Sequence, residues 1–224
     1  MRVTKVIAAL IAFGVPFGYL QATISLYIRG VYAPVHANVH ASAGGLFPLL
    51  TWSQLRAAGA LHLPLLELGR EIMTLGIIAS AAYAAGRGKR EYPATFAIMY
   101  GVWQISYYFF MRVMSGWPAS LLDWDLLLLV PAPWTGPVLA PMLLALALIA
   151  CGASFLSRED SPVPIRFRGH DGKLLVTGCA VIALSFLSQA GNIASGLPAG
   201  GYPWPLLAAG LALGIGTLAV AARR

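Results

Sequence analysis

Glu67, Arg70 and Glu71 stand in the run LELGREI, inside a stretch that is otherwise Leu, Ile, Ala, Met and Gly for most of its length. Separations of three and four residues put all three on one face of a helix. Carboxyl groups in such a place can take up and release protons, and a guanidinium beside them can hold them or bind an anion. A second stripe follows at four-residue steps, Tyr100, Gln104, Tyr108 and Arg112, and a third joins Ser185, Ser188, Gln189 and Asn192. Glu67, Arg70, Glu71, Gln104, Tyr108, Arg112, Gln189 and Asn192 are therefore the candidate ligand- or proton-binding residues.

Other chemistry has less to stand on. His36 and His40 in H-x-x-x-H spacing, His62, and the acids Asp123 and Asp125 are weak metal candidates, because loop histidines are usually solvated. No metal or other cofactor is expected. Haem would need a second membrane-embedded histidine opposite His62. The chain has no G-x-S-x-G, no C-x-x-C, no phosphate loop and no dinucleotide fingerprint. Acid and base work by Glu67 and Glu71 stays open, so the sequence decides neither for nor against an enzyme.

The elements that must position these groups follow from composition. The 224 residues are 58% hydrophobic and 10% charged, against about 25% charged in soluble domains. Such a chain reads as one integral membrane domain over 1–224, all-α. Six apolar segments, 6–28, 61–85, 93–115, 136–156, 174–195 and 204–222, each supply about the 20 residues of a membrane-crossing helix. Their apolar runs are continuous rather than alternating, which excludes a barrel.

The formal net charge is +7, and its placement gives it meaning. Arg2, Lys5, Arg87, Lys89, Arg90, Arg158, Arg166, Arg168, Lys173, Arg223 and Arg224 lie in alternate loops and at the termini, while the other loops hold only Arg29 and Arg56. The positive-inside rule then puts both termini in the cytoplasm. Contact with anionic lipid at the inner face fits this pattern, and nucleic acid does not. The basic start and Ala22 also resemble a signal peptide. Leu20 is too large for the position three before a cut there, and the apolar run continues to Ile28, so a retained helix is expected.

Three connections carry information. The outer loop 29–60 holds His36, His40 and an interfacial patch with Phe47, Leu50 and Trp52. The inner loop SREDSPVPIRFRGHDGK reads as a solvated turn region. In WPASLLDWDLLLLVPAPWTGPVLAP, Pro131, Pro133, Pro137 and Pro141 forbid a regular helix. Residues 121–130 form either an outer-surface helix, with Pro137 then entering the first turn of helix four, or a re-entrant dip covered by protein. Trp117, Trp124 and Trp134 favour the surface. Cys151 and Cys179 read as buried small hydrophobes, and Gly210 and Gly214 as a helix-packing face.

ELGREIMT, GVWQISYYFF, GWP and WDLLLLVPAPWTGPVLAP together resemble a family of bacterial multi-pass membrane proteins over about residues 61–150. The resemblance implies a multi-pass fold and a bacterial inner membrane, and brings no activity with it. In that family an Asp usually stands at the place of Gln104, which implies an ionisable group that this chain lacks there.

Helix two descends while helix three ascends, so Arg112 is expected near the depth of Glu67, and Gln104 near that of Glu71. An unpaired charge at such depth costs on the order of 3 kcal/mol, so these faces should meet inside the bundle. The expectation is an outward-facing polar pocket for a small solute or proton. The alternatives are an enzyme acting on a lipid-like substrate at the outer leaflet, and a subunit whose charges are met by another membrane protein or a second copy.

Overall fold

The computed structural model describes residues 2–37, 62–86, 88–129, 132–159, 161, 164–194 and 200–224. In chain order the elements are α1 (Arg2–Ala37), α2 (His62–Ala85), α3 (Tyr92–Ser115), β1 (Trp124–Leu128), β2 (Trp134–Pro137), α4 (Leu139–Glu159), α5 (Gly169–Leu187), α6 (Ala190–Ala194) and α7 (Trp204–Ala222). Four stretches are long and apolar enough to cross a membrane, Arg2–Ile28, Leu139–Glu159, Gly169–Asn192 and Trp204–Ala222. The chain is a membrane-embedded helical protein.

Two further helices, α2 and α3, match the expected segments to within a residue but carry the polar stripes. The inner face of α2 buries Ile78 and Ala82 in the core and, nearer its start, polar side chains. Leu65, Leu66, Ile72, Met73 and Ile77 face outward, while Glu71 and Thr74 are buried. Exposed apolar side chains over a charged inner face are what lipid favours and water does not.

α3 is the centre of the larger layer, with α1, α2 and α4 packed against it. Leu10, Ile78, Ile98 and Met99 form the core of that layer. Glycine lets α3 and α4 close up, since a Cβ on Gly101 would stand only 2.6 Å from Ala145 O. α5 and α7 make a second pair, and Phe186, Tyr202 and Leu207 join it to Ala140 of α4.

Several boundaries differ from expectation. α1 begins at Arg2 rather than 6, because Arg2 donates to the Glu91 carboxylate at the entry to α3, at 2.7 and 3.0 Å. α5 begins at Gly169 rather than 174, where Asp171 Oδ2 accepts the Arg168 backbone N–H at 2.8 Å, and it ends at Leu187, before the separate turn of α6. α4 begins at Leu139 rather than 136.

The larger correction concerns 121–130, where the sequence favours a surface helix; apart from Trp134–Pro137, the rest of the fold is helical, as expected of an all-α chain. Trp124–Leu128 is instead a strand, paired antiparallel with Trp134–Pro137 in the register Trp124↔Pro137, Asp125↔Gly136 and Leu126↔Thr135. Pro137 thus closes β2 instead of opening α4. A hairpin suits this segment because the prolines that break a helix are tolerated at strand ends. It also lies against the bundle, with Asp125, Thr135, Gly136, Pro137 and Val138 all buried.

Candidate functional site

α2, α3 and the hairpin meet around Glu71. α2 turns this side chain inward because Glu71, Thr74, Ile78 and Ala82 fall on one helical face, and all four are buried. Both Glu71 oxygens accept the backbone N–H of Leu129 at 3.1 Å, just past the end of β1. One turn back, Arg70 holds Glu67 in a fork, with Nε donating to Oε2 at 2.9 Å and Nη2 to Oε1. The Glu67 and Arg70 side chains are only 12% and 20% exposed, so the chain meets these charges itself.

From α3, Tyr108 donates its hydroxyl to Asp125 Oδ2 at 2.9 Å, locking β1 to the helix. Asp125 is 4% exposed and Tyr108 2%. Gln104 and Tyr100 lie one and two turns before Tyr108, and both line a small space beside Glu71.

That space has a volume of about 50 Å³, and Gln21, Arg70, Glu71, Trp103, Gln104 and Asp125 border it. Thr74 Oγ1 donates to Gln21 Oε1 at 3.4 Å. Gln21 Nε2 and Trp103 Nε1 are buried N–H donors with no partner among the described residues. Buried donors are almost always paired, so these two are unusual beside a polar space.

Glu67, Arg70, Glu71, Gln104 and Tyr108 are thus brought to one region. Arg112 is not. It wraps over the end of its own helix and donates to Gly116 O and to Pro118 O, the latter at 3.0 Å. Gly116 takes a left-handed φ of 75°, which places its carbonyl under that guanidinium. Gln189 and Asn192 also stand apart. Asn192 donates to Gln189 Oε1 at 2.9 Å, and that oxygen accepts the Gly200 N–H as well. The buried Ser185 pairs with the Tyr202 hydroxyl at 3.0 Å. The polar face of α5 therefore serves its own connection to α7.

Of the weak metal candidates, the side chains of Asp123 and Asp125 are described. Asp123 Oδ2 accepts the N–H groups of Ala119 and Ser120 at 2.7 and 3.2 Å, as a turn residue does. Asp125 belongs to the chamber. His40 and the side chains of His36 and His62 lie outside the described residues. Among the described residues no group of three His, Cys, Asp or Glu side chains is placed to hold a metal ion.

Sequence reasoning missed Gln21, Ser25, Thr74 and Trp103, which also line the chamber. Gln21 and Ser25, four apart in the first apolar segment, carried the same kind of signal as the stripe on α3. Compared with protein-family models, with curated proteins and with solved structures, the chain matches none.

Proposed function

We propose that this protein binds and relays protons through the chamber between α1, α2, α3 and the hairpin, in a bacterial inner membrane. In this reading the chain crosses six times, with both termini in the cytoplasm and the hairpin dipping in from the outer side. The alternation of basic loops supports that orientation. One observation carries the functional reading. Two carboxyl groups, Glu71 and Asp125, border one chamber of about 50 Å³, which Gln21 and Trp103 also line.

Size narrows the guest. A water needs roughly 10 to 15 Å³ of such space, so the chamber takes a short file of waters and excludes metabolite-sized solutes. Waters in the chamber would connect Glu71 with Asp125, the arrangement by which buried acids hand protons across membranes. Arg70 stays with Glu67 and balances it, which leaves Glu71 as the mobile site. The partner-subunit alternative loses its motive, because the charges of α2 are met within the chain.

The test uses the full chain reconstituted in liposomes with an internal pH dye and an imposed potential. Wild-type vesicles should acidify or alkalinise at least tenfold faster than protein-free ones. Glu71→Gln and Asp125→Asn should each return the rate toward background while keeping the fold. Wild-type flux equal to that of empty liposomes ends the proposal.

A further inference from the structure

A second, larger cavity of about 760 Å³ lies between the α3–α4 pair and the α5–α7 pair. Each pair is tight within itself. Besides the approach at Gly101, a Cβ on Gly210 would stand 2.9 Å from Gly178 O, so the open space falls at the seam between pairs. Its wall is aliphatic, with Leu144, Leu148, Leu175, Ile182, Leu211 and Leu218. Arg90 and Arg166 are the charged groups on the lining, and both sit at one end, in the connections that lead into α3 and α5.

The two arginines differ in what is left to them. Arg90 bonds Glu159 Oε1 at 2.8 Å and the carbonyl of Ile165 at 2.8 Å. Arg166 is exposed and has no hydrogen bond or ion pair with any described residue. Along α4 the lining runs from Leu144 to Phe155, a rise of about 16 Å at ~1.5 Å per residue. Half the hydrocarbon thickness of a bilayer is about 15 Å.

We infer that this cavity holds one acyl chain of an anionic phospholipid, drawn from the leaflet at whose surface Arg90 and Arg166 lie, with the phosphate on Arg166. Length and polarity both fit. The space runs one leaflet deep, is apolar throughout, and ends in a guanidinium whose donors match a phosphate. Its volume falls within the ~300 to 1,000 Å³ of ligand pockets.

Cys151 and Cys179 line opposite walls and are the chain's two cysteines, so they report occupancy directly. The full chain in dodecyl maltoside is mixed with palmitoyl-oleoyl phosphatidylglycerol or with phosphatidylcholine at equal mole fraction. Modification by pyrenylmaleimide is then followed by intact mass. Phosphatidylglycerol should slow both cysteines at least fivefold more than phosphatidylcholine. Arg166→Ala, at an exposed position, should remove about fivefold of that preference. Ala97→Phe, which fills the cavity, should remove protection by either lipid. Equal protection by the two lipids, protection by neither, or lipid-free protection that grows with protein concentration would each overturn the inference, the last in favour of a second copy.

Discussion

Glu71 accepts the backbone N–H of Leu129 through both carboxylate oxygens at 3.1 Å, so a side chain of α2 completes the hydrogen bonding of a hairpin 58 residues away. An unmet N–H in this setting costs about 1 to 3 kcal/mol. Glu71→Leu should therefore destabilise the protein by that amount, and Glu71→Gln by less, because the amide still offers an oxygen. Thermal unfolding in detergent separates the two, and a Leu variant as stable as wild type would show that the hairpin does not depend on Glu71.

Tyr108 and Asp125 form the second tie between hairpin and bundle. Tyr108→Phe should cost roughly 0.6 to 2 kcal/mol, the range of hydrogen bonds between membrane helices. In a double-mutant cycle with Asp125→Asn, the coupling should exceed about 0.5 kcal/mol. Additive effects would mean that the two side chains act separately.

Gly210 and Gly214 read alike in the sequence, four apart in an apolar run. A Cβ on Gly210 would meet Ile182 Cγ1 at 2.5 Å, whereas one on Gly214 would meet nothing within 4 Å. Overpacking costs typically about 1 to 3 kcal/mol. Gly210→Ala should lose that much stability and Gly214→Ala should lose none, as measured by unfolding of the two variants side by side.

Arg2 bonds both oxygens of Glu91, whose side chain is 5% exposed. The arginine is itself 31% exposed, so solvent weakens the pair, and the expected loss for Arg2→Ala is about 1 to 2 kcal/mol. Lys5→Ala, at an exposed position on the same helix, should change stability by no more than about 0.5 kcal/mol. High salt should narrow the gap between the two variants, since it screens the more exposed end of the pair.

The membrane class, the helical segments and the inward face of α2 were all legible in the sequence, because each depends on properties that run along the chain. Apolar length sets what can enter lipid, and three- and four-residue spacing sets what shares a face. Depth along antiparallel helices also brought Glu71 and Gln104 to one chamber as expected. The same reasoning failed for Arg112, whose nearest acceptors were the carbonyls of its own helix end. It failed for Gln189 and Asn192 too, because matching depth says nothing about which neighbour a helix faces.

What the chain by itself determined is that charges placed in oil must be turned inward, a consequence of local spacing and of the cost of burying ions. Only the tertiary structure decided what they turn toward. Glu71 meets the edge of a hairpin that the prolines of 131–141 permit but do not specify. The chamber arises where the hairpin meets α1, α2 and α3, and the lipid-sized seam where the α3–α4 and α5–α7 pairs stop touching. Such spaces belong to the distances between elements, and a linear pattern records the faces of elements while leaving their separations to packing.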